Sequence, residues 1–289
     1  MILVTGATGR VGYRLLEALA DTDADVTAMV RVEAQAADLP GTPRHVVASF
    51  DEPPPAAVLR EFDRIFLLSP EHEEQAALET VFTDAIAAAG HRPHIVKICP
   101  DGFQDPDCEV RFMVSHRQVA MHLDALGLPV TYLASAMYME NLIDSAESIR
   151  RTGTIAAPAG KGQVGWIAAA DVARAAARVL TSPGHENATY VLTGPEALAY
   201  PDVAARFSAV FAWQVDYADQ APRQARELML ANGLAPWEAD GNLERFEWIR
   251  QGGAATVTGT VRELTGTDPR PIQDWLSESR ESFLAPEGL

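Results

Sequence analysis

Residues 2–12 read "ILVTGATGRVG", an apolar run followed by Gly6, Gly9 and Gly12. A β-branched run that stops at a glycine predicts a buried strand. The next residues, "VGYRLLEALA", carry apolar side chains at helical spacing, so the glycines lie between a strand and a helix. In that context glycines let the backbone approach a pyrophosphate, which then meets the N–H groups at the positive end of the helix dipole. We therefore predict a dinucleotide-binding turn with G-x-x-G-x-x-G spacing.

Further apolar runs of strand length follow along the chain and, in its first half, alternate with helical patterns. They are "DVTAMVRV" (25–32), "RHVVASF" (44–50), "RIFLLS" (64–69), "HIVKIC" (94–99), "PVTYLA" (129–134) and "TYVLTGP" (189–195). Two intervening helices end at glycines suited to a left-handed cap, Gly90 and Gly127. Strands that alternate with helices predict an α/β fold built on a doubly wound parallel sheet, Rossmann-like in architecture.

The regular alternation stops after about residue 140, where the chain becomes mainly helical. We predict a dinucleotide-binding, Rossmann-like domain over residues 1–140, with sheet strands that return around residues 164–195. Residues 141–289 are predicted to form a smaller, mainly helical part that caps the carboxyl edge of the sheet and binds substrate. Within it, Asp171 is expected to open a helix, as its N-cap or in its first turn.

The chain is acidic, with a formal net charge of -17 over 289 residues. Affinity for phosphate backbones and anionic membranes comes from Lys and Arg, so this balance argues against nucleic acid and membrane surfaces as partners. No apolar stretch is long enough for a transmembrane helix and no basic segment precedes the first strand, so we expect a cytoplasmic protein. Two cysteines in a chain of this length do not make a disulfide framework. No metal site is predicted, and the chain is expected to be a monomer or homodimer.

The residue after the second strand distinguishes the two nicotinamide dinucleotides. An acidic residue there would hydrogen-bond the adenosine ribose and repel a 2′-phosphate. In "MVRV" the position holds Arg31, whose guanidinium can pair with that phosphate, and Arg10 in the glycine turn can assist. NADP(H) is therefore the preferred cofactor, and NAD(H) stays possible because Glu33 is close by.

Several segments together resemble the NmrA-like family of atypical short-chain dehydrogenases/reductases. They are "MILVTGATGRVG", "VTAMVR", "RIFLLSP", "HIVKIC", "GLPVTYLASAMYMENL" and "ATYVLTGPEALAYPDVAA", and the resemblance extends from residue 1 to about residue 280. The family contains NAD(P)H:quinone reductases, related reductases of secondary metabolism, and redox-sensing regulators that bind dinucleotide without turnover. The resemblance thus implies a Rossmann-like fold and a nicotinamide cofactor, but no single activity.

The resemblance also assigns residues to the parts of the site. By position, the pyrophosphate would be held by Gly6, Thr8, Gly9, Arg10, Val11 and Gly12, with Arg31 at the 2′-phosphate. The adenine would be flanked by Phe50 and Asp51. The nicotinamide ribose would be lined by Leu68, Ser69, Pro70, Cys99 and Pro100. The nicotinamide ring and substrate mouth would be near Met137, Tyr138 and Asn141.

One departure from the superfamily pattern concerns the catalytic acid. Ordinary members use Tyr-x-x-x-Lys, where the lysine lowers the tyrosine pKa so that it can protonate a carbonyl oxygen. In "FMVSH" the matching positions hold Phe112 and His116, and phenylalanine cannot donate a proton. We expect His116, which titrates near neutral pH, to be the first candidate for a catalytic acid, and Tyr138 the second.

Other departures bear on the shape of the pocket. Cys99 stands where the superfamily often has serine, and it is either a buried filler or a reactive thiol. The segment "LASAM" lacks the arginine-proline pair that many relatives carry. In the predicted cap, Trp237 either packs in the core or stacks on a planar substrate.

The missing tyrosine narrows the chemistry. A simple ketone needs a proton on the nascent alkoxide, whereas a quinone, conjugated enone or imine stabilises its own charge or already carries a positive one. The sequence therefore favours an NADPH-dependent oxidoreductase that transfers hydride to such a small aromatic or conjugated acceptor. We expect a tailoring role in bacterial secondary metabolism, such as aromatic polyketide biosynthesis. The alternatives are a non-catalytic redox sensor and an oxygenase or isomerase-type tailoring enzyme on the same fold.

Overall fold

The computed structural model describes residues 1–284. Its strands are β1 (Ile2–Val4), β2 (Val26–Val30), β3 (Arg44–Val47), β4 (Arg64–Leu67), β5 (His94–Pro100), β6 (Val130–Ser135), β7 (Thr154–Ala157), β8 (Gln163–Val164), β9 (Thr189–Leu192), β10 (Leu198–Ala199) and β11 (Asp216–Asp219). Its α-helices are α1 (Arg10–Ala20), α2 (Ala56–Leu59), α3 (Gln75–Ala88), α4 (Arg111–Leu126), α5 (Ala146–Thr152), α6 (Ala169–Thr181), α7 (Tyr200–Phe211), α8 (Pro222–Ala231), α9 (Pro236–Arg250), α10 (Thr260–Thr265), α11 (Ile272–Glu278) and α12 (Arg280–Phe283). Two 3-10 helices span Glu33–Asp38 and Met139–Ser145.

Seven strands form one sheet in the order β3-β2-β1-β4-β5-β6-β9. Every neighbouring pair in it is parallel. The order reverses between β1 and β4, and a doubly wound sheet opens a ligand crevice at the carboxyl ends of the strands at that point. The fold prediction is therefore confirmed, and the crevice is where the glycine turn was expected.

Both faces of the sheet are covered by helices, as a parallel sheet requires. One face packs against α1 and α6 through a core that includes Leu15 and Val172, and the other packs against α3 and α4 through a core that includes Phe82 and Val119. A third core, with Trp166 at its centre, lies in the C-terminal part. Among the described residues, no helix combines the length and the hydropathy that crossing a membrane requires.

All seven predicted sheet strands are present. Several end earlier than predicted, because the apolar pattern continues into the loops that line the crevice, as in β4 and β9. The strand expected around residue 164 lies outside the main sheet, since β8 pairs only with β10. Helix α6 begins at Ala169, so Asp171 lies in its first turn and does not cap it. The pairing of β7 with β11 was not predicted, because short strands carry little periodicity.

Candidate functional site

The glycine turn links β1 to α1 by contacts that exclude larger residues. Gly6 has a φ of 60°, and a Cβ built there would lie 2.7 Å from the Leu68 carbonyl oxygen. A Cβ on Gly12 would lie 2.1 Å from the Gly6 carbonyl oxygen. Helix α1 begins directly after Gly9, which has no side chain with which to cap the first turn. A tight turn followed by uncapped N–H groups fits a bound pyrophosphate, so the residues present are suited to a dinucleotide.

The two other residues predicted for this turn differ in their exposure. Thr8 is exposed, whereas the side chain of Val11 is buried in the core between the sheet and α1. Only the backbone of Val11 is therefore available to the pyrophosphate. One contact was not foreseen. Thr5 Oγ1 accepts a hydrogen bond from the Leu68 N–H (2.9 Å), and this joins the turn to the loop after β4.

Arg31 lies exposed immediately after β2. Within residues 1–284 its guanidinium makes no ion pair, and only its backbone N–H is engaged, by Gln35 Oε1 (2.9 Å). The nearby carboxylate of Glu33 lies 2.8 Å from His45 Nε2 on β3. Glu33, the acidic residue that left NAD(H) possible, is therefore paired with His45, and the Arg31 guanidinium is available to bind a ligand. This arrangement fits a 2′-phosphate.

Arg10 crosses the crevice. Its Nη1 donates to Asn141 Oδ1 (2.7 Å), and its Nη2 lies 3.8 Å from Asp144 Oδ1. Both partners belong to the 3-10 helix Met139–Ser145, which follows the loop after β6. The structure thus brings together residues that the sequence assigned to two different parts of the site, the pyrophosphate turn and the substrate mouth.

The two residues predicted at the adenine follow β3. Phe50 packs against Phe82, with ring centroids 5.2 Å apart. Asp51 is exposed and accepts a hydrogen bond from Ser49 Oγ (2.6 Å), which lowers the pKa of its carboxyl below the usual value. Both residues thus belong to the loop at the carboxyl end of an edge strand, close to Arg31 in the fold.

The residues predicted at the nicotinamide ribose follow β4 and end β5. Cys99 pairs in register with Ala134, and Pro100 pairs with Ser135. Cys99 is fully buried, and this burial raises the pKa of its thiol to about 12. The thiol is therefore protonated at neutral pH, which favours its reading as a buried filler over a reactive nucleophile.

Beneath that edge lies a group of polar side chains that we call the buried polar cluster. Its members are Ser69, Gln75, Glu79, Lys97 and His116, and all are buried. Lys97 Nζ donates to Glu79 Oε1 (3.1 Å), to the Ile98 carbonyl oxygen (3.0 Å) and to His116 Nδ1 (3.1 Å). Ser69 Oγ donates to Glu79 Oε1 (2.5 Å). The group is an ion pair whose two charged ends make further hydrogen bonds inside the protein, whereas Gln75 Oε1 has no partner among residues 1–284.

His116 is part of this cluster and does not line the crevice as an exposed acid. Its Nδ1 faces Lys97, and its Nε2 lies 3.1 Å from the side-chain amide of Gln75. Burial, together with the Lys97 ammonium, lowers the pKa of the imidazole well below its ordinary value. Because Nδ1 accepts from Lys97, the neutral ring carries its proton on Nε2. The ring is therefore neutral and buried at neutral pH, which favours a structural role over the expected proton donation.

Tyr138 is the other candidate acid. Its Oη accepts a hydrogen bond from Ser135 Oγ (3.0 Å), and its backbone forms a bridge to Ile167. Burial raises the pKa of the phenol to about 12, so Tyr138 keeps its proton at neutral pH. Since Ser135 supplies the proton between the two oxygens, the phenol proton remains available to another acceptor. Met137, the neighbouring predicted residue, packs against the C-terminal core.

The cap helix α9 covers the start of α4. Trp237 meets Phe112 edge to face, with centroids 5.2 Å apart, and the Arg111 guanidinium lies 5.7 Å from the Trp237 ring centroid. A Cβ on Gly241 would lie 2.5 Å from Phe112, so the helix backbone approaches this ring closely. Arg111 lies over the Trp237 ring and Phe112 packs against it, which favours a wall over a stacking platform.

Arg245, on the same helix, was not foreseen. Its guanidinium lies 4.4 Å from the Phe112 ring centroid, and its Nη2 lies 3.1 Å from Glu71 Oε2 in the loop after β4. Its Nε is buried without a hydrogen-bond partner in the described part of the chain. A cation therefore stands over the phenylalanine that replaces the usual tyrosine, and it ties the cap to the crevice edge.

Sequence reasoning missed Gln75, Glu79 and Lys97 as parts of the site. One signal was present, since Lys97 is a lysine in the middle of the apolar strand "HIVKIC". A lysine buried in a sheet requires an internal counter-charge. The position of that partner could not be read from the strand alone.

Comparisons with known proteins agree with this architecture. The model of the NmrA-like family matches residues 1–247. The chain is 34% identical to a (4-alkanoyl-5-oxo-2,5-dihydrofuran-3-yl)methyl phosphate reductase of Streptomyces griseus, over 99% of this chain and 100% of that protein. It is 30% identical to an NAD(P)H azoreductase of Xenophilus azovorans, over the same shares of the two chains.

A solved structure extends the likeness to three dimensions. The NADPH-dependent quinone oxidoreductase QOR2 of Escherichia coli, complexed with NADPH, superposes with a TM-score of 0.86 at 26% identity, covering 96% of this chain and 99% of that one. The resemblance drawn from the glycine turn and the later strands is thereby confirmed over most of the chain. The protein is a member of the NmrA-like family.

Proposed function

We propose that this chain is an NADPH-dependent reductase that transfers hydride to a quinone, a conjugated enone or an imine. One observation carries the proposal. The crevice combines a dinucleotide turn and an available Arg31 with Phe112 where an ordinary ketone reductase has its tyrosine. The names of the relatives support the general reaction. They are a reductase of an alkanoyl-substituted dihydrofuranyl methyl phosphate, an azoreductase and a quinone oxidoreductase.

Bound NADPH supplies the hydride from its nicotinamide ring. The chain's own residues position the cofactor: the turn from Gly6 to Gly12 holds the pyrophosphate and Arg31 holds the 2′-phosphate. The cap helix α9 reaches the crevice edge through the ion pair between Arg245 and Glu71, and its Trp237 packs against Phe112.

Tyr138 is the residue that we assign to the acceptor oxygen or nitrogen. Its phenol is protonated, and its proton is not used by Ser135. Hydrogen bonding to a quinone oxygen spreads the charge that develops during hydride transfer. This contribution does not require His116 to leave the buried polar cluster.

The substrate class is a small conjugated acceptor. The name of the Streptomyces relative describes an acyl-substituted unsaturated lactone, in which a ring double bond is conjugated with carbonyl groups. That similarity supports an enone as the first acceptor to try. The finer proposal, that this chain performs a tailoring step in bacterial secondary metabolism, rests on the family resemblance alone.

The test is a turnover assay on the purified chain. NADPH is supplied with a panel of quinones, acyl-substituted unsaturated lactones and iminium dyes, and loss of NADPH absorbance is followed with and without each acceptor. We expect acceptor-dependent oxidation of NADPH and weak activity on simple ketones. NADPH binding without turnover on any of these acceptors would contradict the proposal and favour a dinucleotide sensor. Oxygen consumption in step with substrate loss would favour an oxygenase.

A further inference from the structure

The buried polar cluster contains one member at the crevice. Ser69 lies two residues after β4, beside Leu68, whose carbonyl oxygen closely approaches Gly6. Ser69 is 8% exposed, and the other four members extend behind it from α3, β5 and α4. The cluster thus connects a buried ion pair to the edge of the sheet at which the cofactor binds.

The ion pair determines what Glu79 can do. A lysine ammonium has three protons, and Lys97 has three acceptors within 3.1 Å: Glu79, the Ile98 carbonyl oxygen and His116 Nδ1. A buried lysine is stable as an ammonium when each of its three protons is donated in a hydrogen bond. Glu79 is then its carboxylate partner, and a carboxylate can only accept hydrogen bonds.

Glu79 in turn determines what Ser69 can do. The distance between Ser69 Oγ and Glu79 Oε1 is 2.5 Å, the length of a charge-assisted O–H···O⁻ bond. The other acceptor near the hydroxyl, the Pro70 carbonyl oxygen, is 3.5 Å away. The single proton of Ser69 is therefore used by Glu79. The Ser69 oxygen can therefore only accept a hydrogen bond from a group in the crevice.

We propose that Lys97 and Glu79 are positioning residues that make Ser69 an obligate hydrogen-bond acceptor for the nicotinamide riboside end of the cofactor. The group that Ser69 accepts from is a donor, either a ribose hydroxyl or the N–H of the carboxamide. This inference rests on the cofactor part of the proposed function. It adds that the Lys97–Glu79 ion pair, buried behind Ser69, determines that Ser69 accepts rather than donates a hydrogen bond.

The test measures NADPH affinity directly, by titration calorimetry, together with the split between KM and kcat. We expect Ser69→Ala to weaken NADPH binding about 5- to 20-fold, which corresponds to one hydrogen bond. Ser69→Thr keeps the acceptor and the donor to Glu79, so it should retain most of the affinity. In turnover with any accepted substrate, KM for NADPH should rise in Ser69→Ala while kcat at saturation changes little.

Glu79→Gln tests the positioning role through a double-mutant comparison. A glutamine in place of the carboxylate no longer forces Ser69 to donate, so we expect weaker NADPH binding in the wild-type background and almost no further loss in the Ser69→Ala background. A purely structural role for Glu79 would lower affinity equally in both backgrounds. Should Glu79→Gln fail to fold, Ser69→Ala can still overturn the proposal, because it leaves the Lys97–Glu79 pair in place and unchanged NADPH affinity would remove the acceptor role that the pair is proposed to set.

A cofactor analogue distinguishes the two candidate donors, a ribose hydroxyl and the carboxamide N–H. NADPH whose carboxamide is replaced by an acetyl group has no N–H at that position. If the wild type prefers NADPH over this analogue and Ser69→Ala loses the preference, Ser69 accepts from the carboxamide. If Ser69→Ala weakens both equally, Ser69 accepts from a ribose hydroxyl. Unchanged NADPH affinity in Ser69→Ala would overturn this inference alone, whereas no NADPH binding by the wild type would overturn the proposed function as well.

Discussion

Lys97 and Glu79 form an ion pair that solvent does not reach, with Lys97 Nζ 2.9 Å from Glu79 Oε2 and both side chains fully buried. Taking two charges out of water costs several kcal/mol for each ion, and the attraction between them offsets that cost only when their other hydrogen bonds are also made. Ser69, His116 and the Ile98 carbonyl oxygen make those bonds. The pair is therefore sensitive to the loss of either partner.

Lys97→Met should lower the free energy of unfolding by about 3–5 kcal/mol, because it leaves the Glu79 carboxylate buried without its cation. Urea denaturation monitored by tryptophan fluorescence measures the loss. The chain offers a matched control in Lys161, the other lysine, which is exposed. Lys161→Met should change stability by less than about 0.5 kcal/mol. Equal effects in the two variants would contradict the importance of the buried pair.

His116 should make stability depend on pH in one direction. Its folded pKa is lowered by burial and by Lys97, so the unfolded chain takes up a proton here that the folded chain does not. The stabilising contribution is therefore complete above the unfolded pKa of about 6.5 and is lost as the pH falls below it, by up to about 1.4 kcal/mol per pH unit.

His116→Gln removes this dependence while it keeps a polar group in the cluster. Urea denaturation series above and below the unfolded pKa, compared between wild type and variant, isolate the part due to His116. The comparison is needed because the pKa of buried His94 is also lowered by desolvation and contributes in the same direction. If the free energy of unfolding depended on pH identically in the two proteins, His116 would not be the neutral, buried group described above.

Arg31→Ala should shift cofactor preference. We expect NADPH binding to weaken about 10- to 100-fold, the range of a charge-assisted contact with a phosphate, and NADH binding to stay within about twofold. Arg14→Ala is the control, because it removes the same charge from α1 at a side chain that pairs with Glu17. A parallel loss for NADPH and NADH, or an equal effect of Arg14→Ala, would place the 2′-phosphate elsewhere.

Gly12→Ala should disrupt the turn, because the added methyl group would lie 2.1 Å from the Gly6 carbonyl oxygen. We expect a loss of about 1–3 kcal/mol in stability together with loss of measurable NADPH binding. Gly259→Ala serves as the control, since its nearest neighbour would be 3.5 Å away and its φ is not positive. Normal NADPH affinity in Gly12→Ala would show that the turn does not hold the pyrophosphate.

Tyr138→Phe should separate acceptor classes. For a quinone or enone, whose oxygen gains charge during hydride transfer, we expect kcat to fall about 100-fold. For an iminium dye, which carries its positive charge beforehand, kcat should change less than about threefold. Ser135→Ala, which removes only the bond to the phenol oxygen, should have an intermediate effect on quinones. An equal loss for both acceptor classes would indicate that Tyr138 only shapes the pocket.

Local pattern was enough for the architecture and for the position of the glycine turn within it. A β-branched run, three spaced glycines and a 3.6-residue apolar period each specify conformation within a short segment, so "ILVTGATGRVG" predicted the first strand, turn and helix. Arg31 could be placed in the same way, because the end of a strand adjoining the glycine turn follows from the order of elements.

The catalytic half was different because its contacts join distant segments. His116 was the first candidate for a catalytic acid, yet its environment is set by Lys97 on β5 and Gln75 on α3. Arg245 contacts Glu71, which lies 174 positions earlier in the chain. A local sequence pattern cannot predict a contact over that separation. The protonation of a side chain depends on burial and on neighbouring charges, and both exist only after the sheet and its helices have packed.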